Sequence, residues 1–286
     1  MKKIQIKLNK KQRQLREKIV AYILVVICSV FFIVPLLWML LTALKSTEDL
    51  ANGVFFPTKL VWSNFVTAVK SISFAQYTFN SLYYATFSTI GMVISTTLTS
   101  YAFGKLKWPG RDKWFLVMIA TMVIPSQVLQ IPLFILYSKL GWIDTYNPLI
   151  IPSYFAVGAA ANIFLLRQFF MGIPNSLKES AQLDGANEFQ VFYKIIIPLA
   201  MPQLAVIFLF SFIATYSEYV ITSIFLQTPG KMTLALGLQS FISDQFAAHW
   251  TLFSAAAVIS SLPIMIVFMC LQRFIQNGLV AGGVKG

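Results

Sequence analysis

The sequence has 286 residues, of which 57% are hydrophobic and 11% charged, and its mean hydropathy is +0.73. Average soluble domains carry roughly 25% charged residues, so this composition excludes a soluble globular protein. The net charge of +12 is also typical of proteins that bind nucleic acid. Here the apolar residues form long uncharged blocks with basic residues at their ends. We therefore expect the protein to contact membrane lipid and to bind no nucleic acid.

Six stretches contain the roughly 20 predominantly apolar residues that a helix needs to cross the hydrocarbon core of a bilayer. Barrel strands would alternate apolar and polar residues over about 10 positions, and these stretches do not. The sequence therefore predicts an all-α fold, a polytopic transmembrane domain of about six spans over residues 19–275. A basic segment precedes it at 1–18 and a tail follows at 276–286. The predicted spans are 19–44, 79–104, 114–138, 146–166, 198–225 and 251–272.

Lysine and arginine are distributed unevenly over the segments between these spans. If the basic segment 1–18 is cytoplasmic, 17 of the 22 basic residues lie on the cytoplasmic side. Because cytoplasmic loops carry the excess of Lys and Arg, we expect both termini in the cytoplasm and the protein in the plasma (inner) membrane. The basic segment should lie near anionic lipid.

Two of the predicted spans contain residues that alter helix geometry or packing. In the third span, Pro125 and Pro132 each remove a backbone donor and favour a kink. In the fourth span, Gly158 and the three alanines that follow it would let another helix approach closely.

The fifth predicted span contains Glu218, the one ionisable residue predicted deep in a span. A charge there is costly unless it faces a cavity or a partner, so Glu218 either lines a translocation path or joins neighbouring helices, and both interpretations stay open. Polar and aromatic residues of three spans complete this candidate path, although the same residues could instead join helices: Tyr216, Ser217, Tyr219, Gln127, Gln130 and Asn162.

The cytoplasmic loop between the fourth and fifth predicted spans contains two helix-start signals. Ser176 and Glu179 form an S-x-x-E capping box that predicts a short helix, and Gly185 suits the left-handed residue that ends it. A second start follows at residues 187–190, and that helix should end near Pro198. The sequence therefore predicts a helix-turn-helix along the membrane face.

This helix-turn-helix is either an amphipathic connector or a docking element. Its large apolar side chains need lipid or a groove on a partner, and small residues at Ser180 and Ala181 would let a partner approach the backbone. The large apolar side chains are Leu177, Leu183, Phe189 and Phe192.

The spacing of residues in this loop resembles the signature of the membrane subunits of binding-protein-dependent ABC importers. That signature is E-A-A, three residues, G, nine residues, I, one residue, L-P. Glu179-Ser180-Ala181, Gly185, Ile195 and Ile197-Pro198 stand at these spacings, with Ser for the first Ala and Ile for Leu. The resemblance implies that residues 172–198 are a coupling loop that docks into a cleft on an ATPase subunit. The coupling residues would be Glu179, Ser180, Ala181, Asp184, Gly185, Phe189, Phe192, Ile195 and Pro198.

Other segments are similar to the carbohydrate branch of that family, in particular to the second permease subunit of maltose-type systems. One departure is Tyr216-Ser217-Glu218, where the branch usually has Trp-Asn-Glu or Trp-Asn-Asp. The resemblance implies a second homologous permease subunit, two ATPase subunits that bind ATP and Mg, and an extracytoplasmic sugar-binding protein. The similar segments are Asn80-Ser81, Pro125 with residues 131–133, and residues 140–145, 228–231 and 272–286.

Motifs for catalysis or for nucleotide and metal binding are missing from the sequence. It has no G-x-x-x-x-G-K-[ST] loop, no H-E-x-x-H and no G-x-S-x-G element, so we predict a non-catalytic subunit with no cofactor or metal of its own. The alternative is a self-contained, ion-coupled secondary transporter. Such transporters generally have internal repeats and several intramembrane ionisable residues, which this sequence lacks.

Overall fold

The computed structural model describes residues 10–243 and 249–283, with side chains at 15–242 and 249–276. Every regular element within the described backbone is helical, which confirms the predicted all-α class. The chain forms two compact units. Of the described residues, 10–68 and 249–259 belong to the smaller unit, and 69–243 and 260–283 belong to the larger.

The helices follow one another with short connections. They are α1 (Lys10–Ala43), α2 (Thr47–Ala51), α3 (Ser63–Ser71), α4 (Phe74–Gly104), α5 (Arg111–Ala120), α6 (Ser126–Lys139), α7 (Asn147–Ile150), α8 (Ala160–Gly172), α9 (Asn175–Leu183), α10 (Glu188–Val191), α11 (Ile197–Tyr216), α12 (Val220–Phe225), α13 (Leu234–Ser243) and α14 (Trp250–Gly283). Short 3₁₀ turns lie at Thr121–Val123, Ile151–Phe155 and Pro229–Lys231, and a π-helical turn lies at Phe192–Ile196.

Among the described residues, four segments are long and apolar enough to cross a membrane. A fifth results if α5, its 3₁₀ turn and α6 count as one bent span. The predicted count of six also included α4, whose 31 residues extend about 46 Å at 1.5 Å per residue. Its many Ser and Thr residues make α4 less apolar than the others. The four segments are Leu15–Ala43, Asn147–Gly172, Glu188–Tyr216 and Trp250–Gln276.

The buried face of α4 is polar and lies at the centre of the larger unit. Ser81, Ser88 and Ser95 are seven residues apart and therefore share one face of the helix. The Ser88 hydroxyl donates to the Leu149 carbonyl (3.0 Å) and the Ser95 hydroxyl to the Ser153 carbonyl (2.7 Å). The Ser81 hydroxyl accepts a bond from the first N–H of α13 (2.7 Å). Small hydroxyl residues thus let neighbouring segments approach α4 and satisfy their backbone groups.

The third predicted span is two helices that meet at 95°. Ile124 and Pro125 are both extended, with ψ of 114° and 128°, because the residue before a proline avoids the helical region. Each helical segment is about 20 Å long, shorter than the roughly 30 Å hydrocarbon core. The kinked helix expected here is therefore broken in two at Pro125, and only the two segments together are long enough to cross the membrane. Pro132 lies inside α6, which continues past it.

The fourth predicted span is also interrupted. After α7 and its 3₁₀ turn, Ala156 and Gly158 take left-handed backbone conformations with φ of 56° and 76° before α8 begins. A Cβ at Gly158 would meet no atom within 4 Å, so this glycine provides the turn and not the close helix packing that we predicted. Ala159 and Ala160 are buried.

The fifth predicted span was misplaced at both ends. α10 continues through the π-helical turn into α11, so the helix expected to end near Pro198 runs on to Tyr216. Proline lacks an N–H and crowds the carbonyl four residues earlier, and the wider π turn directly before Pro198 accommodates it. At the other end the helix breaks over residues 217–219, and α12 is a separate short helix.

In the smaller unit, α1 exposes apolar side chains along most of its described length. The segment after α1 folds back on its end, since the Asn64 amide donates to the carbonyls of Ala43 (2.9 Å) and Lys45 (2.8 Å). Asp49 accepts bonds from the Thr58 hydroxyl (2.8 Å) and N–H (3.2 Å). The hydroxyl bond is the main reason that the pKa of Asp49 is lowered.

Candidate coupling loop and outer polar cluster

The helical hairpin, residues 175–193, consists of α9, α10 and the first two residues of the π-helical turn. Pro174 is extended (ψ 133°), and α9 begins directly after it at Asn175 with no side-chain cap. The predicted capping box at Ser176 was therefore wrong, because the proline places the helix start two residues earlier. Ser176 lies in the first turn of α9 instead.

The turn of the hairpin is a Schellman motif centred on Gly185. Its φ of +86° is left-handed, its N–H donates to the Gln182 carbonyl (3.0 Å), and the N–H of Ala186 donates to the Ala181 carbonyl (2.9 Å). These two bonds define the motif and satisfy the last carbonyls of α9. The prediction that Gly185 ends the first helix is confirmed.

The second helix of the hairpin begins at a reciprocal capping box. The Gln190 N–H donates to the Asn187 side-chain oxygen, and the Asn187 N–H donates to the Gln190 side-chain oxygen, both at 2.9 Å. This confirms the helix start predicted at residues 187–190.

One carboxylate, which the sequence analysis did not identify, connects the two helices of the hairpin. Glu188 Oε1 accepts bonds from the Lys178 ammonium (2.6 Å) and the Gln182 amide (3.0 Å), and its Oε2 accepts from the Tyr101 hydroxyl (3.0 Å). Glu188 therefore links α9, α10 and α4. The available signal was a lysine and a glutamate on either side of a turn that reverses the chain.

The inner side of the hairpin packs into the larger unit. Phe192 lies 4.8 Å from the Tyr101 ring and, with Ala181, borders a buried cluster that includes Leu166 and Phe170. The expectation that Phe192 needs lipid or a partner groove was wrong, because its own chain half-buries it.

The outer side of the hairpin leaves large apolar side chains exposed. Leu183 is 89% exposed, Phe189 73%, Tyr193 65% and Leu177 44%. The rings of Phe189 and Tyr193 stack with centroids 6.5 Å apart. We call these four side chains the exposed apolar face. Of the predicted coupling residues, Glu179, Ser180, Asp184, Gly185, Phe189 and Pro198 are exposed, and Ala181, Phe192 and Ile195 are half-buried.

The base of the hairpin is bonded to the loop between α4 and α5. The Lys105 ammonium donates to the Ile173 carbonyl and to the Asn175 side chain (2.9 Å). Burial, and secondarily the nearby Lys178, lowers the pKa of Lys105. The buried Arg167 guanidinium donates to the Phe103 carbonyl and to Asp112, both at 3.1 Å. The hairpin and the α4–α5 loop therefore lie at the same end of the larger unit.

Comparison with known proteins identifies the family. Residues 97–280 match the family described as the binding-protein-dependent transport system inner membrane component. The chain belongs to this family. The match includes the whole hairpin and confirms the resemblance inferred from its residue spacing.

Relatives of this permease have sugar-transport names. It is 33% identical to the maltose/maltodextrin transport system permease protein MalG of Escherichia coli K12, over 92% of this chain and 94% of that protein. It is 30% identical to the galactooligosaccharides transport system permease protein GanQ of Bacillus subtilis, over 93% of this chain and 95% of that protein. The structure of a bacterial ABC transporter involved in the import of the acidic polysaccharide alginate contains a chain that is 26% identical. That chain superimposes with a TM-score of 0.77, over 93% of this chain and 98% of its own length.

These matches classify the chain as the permease subunit of an ABC importer. Such subunits are non-catalytic, and the ATPase activity of the importer resides in separate subunits. The relatives give no support to the alternative of an ion-coupled secondary transporter.

The candidate path residues of the permease lie around the break after α11. Tyr216 is buried and stacks on Phe212 (5.8 Å), and its hydroxyl has no partner among the described residues. Glu218 is half-buried and outside any helix, where its Oε1 accepts the Ile221 N–H (2.8 Å) and caps α12. The prediction that Glu218 lies within a continuous helix was therefore wrong.

The other candidate path residues are more dispersed. Ser217 and Tyr219 are exposed beside Glu218, Gln127 is exposed on α6, and Gln130 and Asn162 are half-exposed on α6 and α8. In the part of the chain that the structure describes, no hydrogen bond joins Glu218 to residues of α6 or α8.

A polar cluster at the end of α4 away from the hairpin, which we name the outer polar cluster, joins three segments that the sequence analysis noted separately. Asp144 Oδ1 accepts the N–H groups of Gln227 (3.0 Å) and Thr228 (2.9 Å). Its Oδ2 accepts the Thr228 hydroxyl (2.6 Å) and the Lys231 ammonium (2.9 Å). These bonds, the Thr228 hydroxyl first, hold the pKa of Asp144 far below its ordinary value.

The third segment of the outer polar cluster is the start of α4. The Asn80 side chain donates to the carbonyls of Gly230 (3.1 Å) and Met232 (2.9 Å). The Tyr146 hydroxyl donates to the Lys231 carbonyl (2.6 Å). Sequence reasoning identified these segments by resemblance, but their contacts join residues as much as 152 positions apart and have no local signal.

Proposed function

We propose that this permease translocates an oligosaccharide together with a second, homologous permease subunit. Two ATPase subunits that bind ATP and Mg would power it, and an extracytoplasmic binding protein would deliver the sugar. The relatives named for maltodextrin and galactooligosaccharides, and the structural neighbour involved in alginate import, support an oligosaccharide over a monosaccharide.

The observation that carries the coupling role is the helical hairpin. An exposed apolar face on a polar loop is unfavourable in water and favours burial in a partner groove. The Schellman turn, the capping box and the Glu188 bonds fix the two short helices to each other and to α4. We infer that the ATPase subunit encloses the exposed apolar face, so that closure of the ATPase pair moves the hairpin as a rigid body.

The hairpin also supports the proposed orientation. ATP is available in the cytoplasm, so a hairpin that contacts an ATPase lies on that side, together with the α4–α5 loop that is bonded to it. If the six predicted stretches alternate across the membrane, the outer polar cluster would lie outside and both termini in the cytoplasm, as the distribution of Lys and Arg also indicates.

We propose that the sugar passes the break after α11. A non-helical backbone at membrane depth is tolerated where it is buried in protein or lines a water-filled cavity. Exposed groups at Ser217 and Tyr219, next to the Glu218 carboxylate, would offer a sugar hydrogen bonds and an aromatic ring. Gln127, Gln130 and Asn162 are candidates for the opposite wall of the path.

Transport by the reconstituted importer tests this proposal. The permease, its homologous partner, the ATPase and the binding protein would be placed in proteoliposomes, and uptake of labelled maltodextrins and galactooligosaccharides measured with and without ATP. We expect ATP-dependent uptake that requires every component. Uptake by this chain alone under a proton or sodium gradient would contradict the proposal, as would ATPase stimulation by monosaccharides only.

A further inference from the structure

The loop between α4 and α5 forms a basic cleft at the hairpin end of the permease. The cleft has a volume of about 470 Å³ and is lined by three cationic side chains, one carboxylate, an indole and a glycine. Gly110 takes a left-handed conformation (φ +83°) and turns the chain into α5. The lining residues are Lys107, Trp108, Gly110, Arg111, Asp112 and Lys113.

Among the described residues, the carboxylates near this cleft do not neutralise its charge. Asp112 is held by Arg111 (3.1 Å) and by Arg167 (3.1 Å), so its carboxylate is already shared between two guanidinium groups. Lys107 and Lys113 are exposed, and within the described residues neither has a carboxylate at salt-bridge distance. Two ammonium groups therefore remain available to an anion.

The surroundings of the cleft favour an amphipathic anion over a soluble one. The Trp108 indole is fixed by its bond to the Ala102 carbonyl (3.0 Å). From the cleft, α5 continues with exposed apolar side chains at Trp114 (60%), Leu116 (69%) and Val117 (55%). Tryptophan is enriched at the headgroup level of membranes, and exposed apolar residues along a membrane helix contact acyl chains.

We propose that this cleft binds the headgroup of an anionic phospholipid whose acyl chains lie along α5. Lys107 and Lys113 would contact the phosphate, and basic clefts at the cytoplasmic ends of membrane helices are suited to such headgroups. The leaflet assignment rests on the proposed orientation, whereas the binding site itself rests on the described side chains. A lipid in this position would touch the loop that anchors the hairpin through Lys105.

Lipid binding by the purified full-length chain tests the inference. Native mass spectrometry in detergent would compare phosphatidylglycerol with phosphatidylcholine of identical acyl chains, for the parent chain and for the double variant Lys107→Gln, Lys113→Gln. At roughly 1 kcal/mol for each basic residue near an anionic surface, the double variant should bind phosphatidylglycerol about 30-fold more weakly. Binding of phosphatidylcholine should not change.

A matched control removes two exposed lysines elsewhere, Lys70→Gln with Lys139→Gln, and should leave phosphatidylglycerol binding unchanged. Equal binding of the two lipids by the parent chain would overturn the inference, as would equal loss in both double variants. Displacement of the lipid by millimolar inorganic phosphate would assign the cleft to a soluble anion instead. None of these measurements requires transport, so they are independent of failure of the proposed function.

Discussion

Replacement of Gly185 by valine would test the hairpin as a rigid coupling element. A Cβ at this position would meet no atom within 4 Å, so steric clash with the rest of the chain adds nothing to the free-energy cost of the substitution. The cost is the left-handed backbone at φ +86°, which is about 1–2 kcal/mol for a residue with a Cβ and highest for a β-branched one. At 1.4 kcal/mol per factor of ten, the population of the native turn relative to alternative turns falls by about 5- to 30-fold.

The expected result is a permease that inserts and assembles but couples poorly. In the reconstituted importer, Gly185→Val should lower sugar uptake about tenfold and should reduce the stimulation of ATPase activity by the loaded binding protein. Two control variants distinguish the effect of the left-handed backbone at the turn from the effect of a larger side chain. Asparagine tolerates the left-handed region, so Gly185→Asn should be milder. Gly172 lies in α8 with open space around it and no positive φ, so Gly172→Ala should transport normally.

Normal uptake and stimulated ATPase activity in Gly185→Val would refute the reasoning, because the hairpin would then be a passive connector. A defect of equal size in Gly172→Ala would point to general sensitivity of the loop and not to its turn.

Four further predictions concern other parts of the permease. Glu188→Ala should lower stimulated ATPase activity and expose the hairpin to proteolysis, since three side-chain bonds are lost; unchanged proteolysis would contradict this. The carboxylate bonds of Asp144 stabilise the fold above its ordinary pKa of 3.8 and are lost only as pH falls through its lowered pKa. Asp144→Asn should therefore lower thermal stability at pH 7, with a gap from the parent that narrows below about pH 4. Glu218→Gln should reduce uptake while the complex stays intact if the break lines the path, whereas loss of assembly would favour a structural role. Reporters fused after Lys231 and after Lys107 should lie outside and inside respectively, and the reverse pattern would overturn the orientation.

The parts of the hairpin that sequence reasoning predicted correctly depend on local chemistry. A glycine at a helix end and a reciprocal Asn187–Gln190 cap act within a few residues, so their signals are complete in the sequence. The Ser176 cap failed because the neighbouring proline imposed an earlier start. Glu188 was missed because its importance comes from a partner, Tyr101, that is 87 residues away.

The helix breaks were harder to predict than the helices. Hydropathy reports whether a stretch can reside in lipid, and it does not show whether the backbone stays helical there. The breaks at Pro125, Gly158 and Ser217 leave backbone groups that neighbouring segments or side chains must satisfy. Of these breaks, only the one at Pro125 is clearly indicated by its local sequence. The outer polar cluster depends entirely on contacts between distant segments.

The serine-bearing face of α4 has a consequence for how the permease enters the membrane. Its hydroxyls satisfy carbonyls of α7 and of the 3₁₀ turn that follows it, yet the same hydroxyls make α4 a weak candidate for partition into lipid by itself. Stable insertion of α4 therefore depends on segments that the ribosome completes about 60 to 150 residues later. Until then we expect α4 to stay at the translocation site, so biogenesis of this protein should be sensitive to substitutions on its serine-bearing face.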